Sequence, residues 1–370
     1  MIYVPVLKYR QEEKKVLADV HDCISDQIIP LIEIIQDSFP TFYEYEEDGS
    51  IKRELSQYST GKKYYKKVTR EPLPDENCTL EEIADRVKDK NVFVDFYRFD
   101  EGEYEKNSID MSKIKLSLLL SRDMNLYVQR VMETNKYDHI MPVISIKDHF
   151  ELEKDTLCDI IRKIKKAGKN LAIRITHDLF TPYRVICETE LDENDFVMMD
   201  VGEEELEPHF MELSALGNSI CKAKKIVLNS PRSSKVTTAQ FEEAGITELI
   251  DNSARDTYLG YDLDGYGDYA GYCNKLPQRQ HGLGNVGHAI ALMYRYDVNG
   301  FEVFKNQGNN GHLGYDNVRD QVLDAEKRLN PDRDCIAYEI IHQNIEKVKS
   351  WAAWNRICMD RYIHQIYKFI

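Results

Sequence analysis

Four carboxylates close apolar runs of this chain: Glu33 after PLI, Asp95 within VFVDF, Asp200 after FVMM and Asp251 after LI. Brought to one place, such acids make an all-oxygen ligand set of the kind Mg²⁺ or Mn²⁺ takes. Kept from solvent, any one of them can instead carry a proton to or from a reacting bond. Bases, amides and one hydroxyl stand at comparable points, at Arg98, Ser145, Lys147, Arg174, Asn229, Arg232 and Asn252. Guanidinium and ammonium groups so placed suit a phosphate. His177 follows Arg174 by three residues, and imidazole is the side chain most used as a proton shuttle.

The constellation reads as a site for an anionic ligand, a nucleotide or a phosphodiester. Glu33, Asp95, His177 and Asp200 would do the chemistry, and Glu33, Asp95, Asp200 and Asp251 would hold the metal. Arg98, Lys147, Arg174, Asn229, Arg232 and Asp251 would contact the ligand. If the chain is an enzyme, this makes it a metal-assisted phosphodiesterase or nuclease-like hydrolase. A plainer role competes at each position, because Asp or Asn after a strand also caps the helix that follows.

Eight short runs would position these residues: Tyr3–Leu7, Ile28–Ile35, Val92–Phe96, Ile140–Ile146, Leu171–Ile175, Phe196–Asp200, Lys225–Asn229 and Glu248–Asp251. Most are continuously apolar, as strands buried on both faces must be. Helix-like stretches lie between them, at Gln11–Asp26, Phe150–Ala167 and Thr237–Ala244. The expected fold is α/β, a (β/α)₈ TIM-like barrel over residues 1–255, whose strand ends share one rim. A polar excursion at about residues 36–91 interrupts it, a length typical of lids and binding loops. Past residue 255 comes YLGYDLDGYGDYAGY, and then a hairpin signal, His288–Tyr296 and Phe301–Lys305 about an Asn299-Gly300 turn. Helical stretches near Tyr315–Leu329 and Cys335–Tyr367 follow, so residues 256–370 form a hairpin-and-helix extension packed on the barrel.

A net charge of −15 argues against a broad nucleic-acid face. The local exception is Lys62, Lys63, Tyr64, Tyr65, Lys66, Lys67 and Arg70, which interleaves cations and rings as a base-stacking groove does. The acids Glu44, Glu46, Glu47 and Asp48 nearby favour a solvated loop instead. No apolar window reaches membrane length and the start MIYVPVLKYR is unlike a secretory signal, so a cytoplasmic protein is expected. The eight cysteines form no CxxC pair and read as buried small hydrophobes. Gly282 to Gly287 spell GxGxxG, but no strand precedes and no helix follows, so a flexible glycine loop is expected rather than a dinucleotide cradle. HExxH, HxH and GxSxG are absent.

Five segments in order resemble the phage beta-protein family: YVPVLKYRQEE with Lys8 and Gln11, PLIEI around Glu33, Tyr266-Gly267-Asp268-Tyr269, the hairpin AIALMYRYDVNGFEVFKN and the tail WAAWNRICMDRYIHQI. The resemblance implies a barrel-like fold and an association with phage-immunity or toxin-control loci, hence a part in antiviral defence. It carries over no catalytic residue. It does mark Lys8, Gln11, Glu33, Asp268 and His364 as candidates for a shared site, adding Lys8 and Asp268 to the ligand-binding set, with a Lys8–Glu33 ion pair expected at the mouth. The long Lys/Tyr-rich insertion and the loop GNVG depart from the family pattern. The alternative reading is a non-enzymatic sensor of a phage protein, or an antitoxin-like partner of a toxic protein, with the acidic surface and the insertion as its interface. Trp351 and Trp354 share one face of the last helix and are expected to dock it onto the domain.

Overall fold

Strands that are apolar from end to end must be covered on both faces, and a parallel barrel achieves this with helices outside and layered side chains within. The computed structural model describes residues 1–58, 61–105, 107–242, 244–279, 287–308, 311–343 and 348–370. Twelve strands are present among these residues: β1 (Ile2–Lys8), β2 (Leu31–Ile34), β3 (Arg53–Gln57), β4 (Lys63–Lys67), β5 (Val92–Phe96), β6 (Ile140–Ile146), β7 (Ala172–Thr176), β8 (Phe196–Asp200), β9 (Lys224–Asn229), β10 (Gly265–Asp268), β11 (Ile290–Arg295) and β12 (Gly300–Lys305). Eight of them close a parallel barrel in the order β1, β2, β5, β6, β7, β8, β9, β10 and back to β1. The (β/α)₈ expectation holds.

One strand was misplaced from the sequence. Glu248–Asp251 is not a strand; β10 takes the eighth position, so the barrel reaches Asp268, beyond the boundary drawn at residue 255. The stretch Thr237–Ala244 forms turns rather than a helix among its described residues, and the helix before β10 is the short Ser253–Thr257.

The excursion after β2 contains β3 and β4, an antiparallel hairpin standing off the barrel, followed by the amphipathic helix Thr79–Val87, whose Leu80, Ile83 and Val87 return to the core. The basic run is therefore strand β4 and its flanks, not a loop, and Glu44 pairs with Lys52 at 2.8 Å.

The C-terminal hairpin turns at Asn299, which is left-handed, just before Gly300, as the Asn-Gly signal predicts. The stretch Cys335–Tyr367 is two helices, Ile336–Gln343 and Trp351–Phe369. Ser350 starts the second by accepting the Ala353 N–H at 3.2 Å. Trp354 is fully buried and donates to the Val348 carbonyl, whereas Trp351 is exposed, so one tryptophan of the pair docks the helix. Cys23, Cys187, Cys221, Cys335 and Cys358 are buried and unbridged. No helix of the described residues is long and apolar enough to cross a membrane. Of the GxGxxG stretch, residues 282–286 lie outside the described residues.

Candidate functional site

Side chains alternate faces along a strand, so register decides which polar residues enter the barrel. Lys8 is level with Glu33 and Glu33 with Asp95, and the three point inward. Arg174 and Asp200 enter from β7 and β8. Asp268 is level with Pro5 and Asn229, one step out of phase with the inward Val4 and Gly267. It therefore leaves on the outer face, where it accepts from Tyr3 at 2.8 Å and from Tyr362 of the last helix at 2.6 Å. Burial pushes its carboxyl up to about 6 against those hydroxyls. It ties the extension to the barrel and is no part of the mouth.

Arg174 is the hub of the interior. Its Nη1 donates to Glu33 at 2.7 Å and Asp95 at 3.0 Å, its Nε and Nη2 to Asp200 at 2.9 and 2.6 Å, and its Nη2 also to the Tyr269 hydroxyl at 3.0 Å. All five N–H groups of the guanidinium are used. Tyr269 in turn donates to Glu33 at 3.0 Å. The expected Lys8–Glu33 ion pair is present and fully buried, and Lys8 also donates to Asn274 at 2.7 Å. Burial alone would raise the Glu33 carboxyl, but Lys8 and Arg174 outweigh it and hold it down at about 2.

Three acids thus face two cations, and one negative charge is left over. It falls on Asp95. Burial raises this carboxyl above its ordinary value, against the pull of Arg174 and a 2.7 Å hydrogen bond from Ser145. Both of those bonds end on Oδ2; Oδ1 has no protein partner, although the residue is buried and lines the cavity.

That cavity, about 730 Å³, opens at the strand ends and is walled by Asp95, Arg98, Lys147, Arg174, His177 and Asp200, with Tyr97, Glu103, Glu203, Glu204 and Asn274 among its other residues. Arg98 lies over the Tyr127 ring at 4.2 Å and donates from Nη2 to the Ser145 and Phe150 carbonyls, leaving Nε and Nη1 without hydrogen-bond partners. Lys147 reaches Glu103 at 2.7 Å. The His177 ring lies 3.9 Å from that of His209, measured between centroids.

The other expected residues stand elsewhere. Asp251 accepts from the Ser253 N–H and hydroxyl and closes the turn that leads into the helix Ser253–Thr257. Arg232 donates to the Val236 carbonyl beside Phe241, and Asn252 donates to the Asn299 carbonyl. Asn229 holds the Gly202 and Glu204 carbonyls, at 3.3 and 2.7 Å. His364 sits on the last helix beside Tyr367, away from the cavity walls. A divalent ion held by Glu33, Asp95, Asp200 and Asp251 does not fit this arrangement. Three of the four converge on a resident guanidinium and the fourth is committed to a turn. Sequence reasoning missed Tyr269, Asn274, Glu204 and His209; only Tyr269 carried a signal, as the neighbour of Asp268 in the matched Gly-Asp-Tyr segment.

Among solved structures the chain is similar to a protein described as an α-L-fucosidase from Bacteroides thetaiotaomicron VPI-5482, at 10% identity over 72% of this chain and 87% of that one, with a TM-score of 0.34. It is also similar to a D-psicose 3-epimerase with D-tagatose from Clostridium cellulolyticum H10, at 9% identity over 72% of this chain and 84% of that one, with the same TM-score, 0.34. No curated protein matches it. The family model described as Beta protein matches residues 3–368, from the second residue of β1 to the penultimate residue of the last helix, and the chain belongs to the Beta protein family.

Proposed function

We propose that this is a defence-associated barrel whose mouth binds a phosphate-bearing ligand, a nucleotide or a phosphodiester, with Asp95 as its acid–base group. The defence setting rests on kinship alone. The ligand class rests on one observation: two residues that line a single cavity carry buried polar atoms without hydrogen-bond partners, the acceptor Asp95 Oδ1 and the donors Arg98 Nε and Nη1. Buried polar groups are nearly always satisfied, so opposite orphans on one wall argue for a ligand that offers both an anion and a hydroxyl or N–H. Lys147 lines the same cavity and would serve the anionic end by turning from its present partner, Glu103. Burial raises the Asp95 carboxyl above its ordinary value, which favours its holding a proton that it could pass to a ligand.

The experiment is calorimetric titration with nucleoside monophosphates, a phosphodiester dinucleotide and the parent nucleosides. At least one phosphate-bearing compound is expected to bind, with its nucleoside much weaker. Asp95→Asn keeps the shape and the Ser145 contact but loses the charged acceptor, and should weaken binding roughly tenfold to a hundredfold. Equal affinity in Asp95→Asn, or no binding by any phosphate compound, rejects the assignment.

An exposed hairpin favours a second reading, a protein-binding sensor or antitoxin-like partner. Strands β3 and β4 leave Leu55 and Tyr65 exposed, with Tyr45 and Tyr58 beside them. Apolar side chains on an unpaired two-stranded ribbon are an invitation to a partner. Pull-down from phage-infected cells should recover the same protein repeatedly with the full chain and lose it when Glu44–Arg70 are deleted. Recovery that is indifferent to the deletion removes the hairpin from the account.

A further inference from the structure

At the rim of the cavity, away from the Arg174 hub, three metal-ligating side chains come together from two neighbouring βα loops. His177 directly follows β7. Glu204 lies in the turn after β8, and His209 ends the short 3₁₀ segment Glu207–His209 that leads into the helix Phe210–Gly217. One ligand atom from each lies within 4.8 Å of the other two. His209 Nε2 is 2.8 Å from a Glu204 carboxylate oxygen, and His209 is buried.

We infer that His177, Glu204 and His209 form a binding site for a divalent transition-metal ion of the zinc class, one that the carboxylate reading of the sequence did not foresee. Its use in chemistry, though not its existence, rests on the cavity being a ligand site. Two imidazoles and one carboxylate are a donor set for zinc or a similar borderline ion, not for magnesium, which prefers oxygen throughout. A His–Glu pair alone would account for His209 and Glu204. It gives no reason for a second imidazole packed 3.9 Å away, whereas a shared ion does.

The surroundings are built to hold the loop in place. Asn229 Nδ2 donates to the Glu204 carbonyl at 2.7 Å, and the Ser230 N–H to the Gly202 carbonyl at 2.6 Å. Asp200 caps the same turn through the Gly202 N–H at 2.9 Å while gripping Arg174. Such supporting bonds orient first ligands and are worth tens-fold in affinity. Asn229, expected to touch a ligand itself, is on this account a positioning residue.

Three protein ligands leave a tetrahedral ion one further position. His177 and Glu204 both line the cavity, so an ion held by them would be within reach of a ligand bound there. The ion would offset the surplus of acids around the rim, among them Glu103, Asp148, Asp178 and Glu203, which otherwise disfavours an anion there.

The test is titration of the untagged, metal-stripped protein with Zn²⁺ and Co²⁺, no organic ligand present, followed by calorimetry and by the visible spectrum of bound cobalt. One equivalent is expected to bind, with the spectrum of a four-coordinate nitrogen–oxygen site and no thiolate charge-transfer band. His177→Ala, at a half-buried position, and Glu204→Gln, at an exposed one, should each weaken binding roughly 100-fold or more without changing the unfolding midpoint of the metal-free protein. Asn229→Ala should weaken it less. Asp95→Asn should leave it unchanged, so a failed nucleotide titration and a failed metal titration are told apart. No stoichiometric binding to the parent protein, a thiolate band, or binding that survives both ligand substitutions overturns the assignment.

Discussion

Arg174→Met is expected to lower the unfolding free energy at neutral pH by roughly 3–5 kcal/mol. The guanidinium carries five hydrogen bonds and is the only cation touching Asp95 and Asp200 among the described residues. Without it, Glu33, Asp95 and Asp200 share the barrel interior with Lys8 alone, which can neutralise only Glu33. Methionine fills much of the volume, so the loss isolates charge rather than a cavity. Arg174→Lys should recover part of the loss, because one ammonium cannot span carboxylates on three strands.

The pH dependence supplies the sharper check. In the variant the stranded acids have folded-state pKa values raised above their unfolded values. Their contribution is favourable at low pH and is lost as pH rises through the raised values, so the deficit should shrink on acidification. Urea unfolding of parent and variant at pH 7 and pH 5 measures it. A cost below about 1 kcal/mol, a surface ion pair's worth, or an equal cost at both pH values, would mean that Arg174 is not what holds the acids together.

The same hub shows what could be read before coordinates. Seven barrel strands are apolar runs because each is sandwiched between helices and the interior, and that burial writes itself into composition. Glu33, Asp95, Arg174 and Asp200 were legible as a cluster because each interrupts such a run near its end, where a parallel barrel gathers side chains. Their relation to one another was not. A sequence marks Arg174 and three acids as polar; it does not say that the arginine stands between them, and so a metal was assigned to a place that a guanidinium fills.

Asp268 and Asn229 were misread for a different reason. A shift of one residue along a strand exchanges inside for outside, and neither composition nor motif order reports parity. His209 carried no signal at all, since its nearness to His177 comes from the pairing of β7 with β8, which brings together loops 32 residues apart in the chain.

Strand β10 was missed because it has no apolar run, and the cause is steric. A Cβ on Gly265 would stand 2.0 Å from the Ile2 carbonyl oxygen, and one on Gly267 would stand 2.5 Å from the Val4 carbonyl oxygen and from Leu228. Here the closing strand lies so tight against β1 that only glycine fits, and its sequence, Gly-Tyr-Gly-Asp, looks like a loop. Gly265→Ala is accordingly expected to destabilise the protein by about 3 kcal/mol or more. On backbone entropy alone a Gly-to-Ala change at an unstrained position stabilises slightly, so the sign itself decides. The loss cannot be absorbed by a side chain moving aside, because the obstacle is the backbone of β1. Relief requires β10 to separate from β1, and that separation pulls on Asp268, with its bonds to Tyr3 and Tyr362, and on Tyr269, with its bond to Glu33. Amide exchange should therefore quicken in β1 and β10 together, while Gly260→Ala, where a Cβ meets nothing, leaves stability within about 0.5 kcal/mol. A Gly265→Ala protein as stable as its parent, with β1 amides equally protected, would show that the barrel is not closed through this contact.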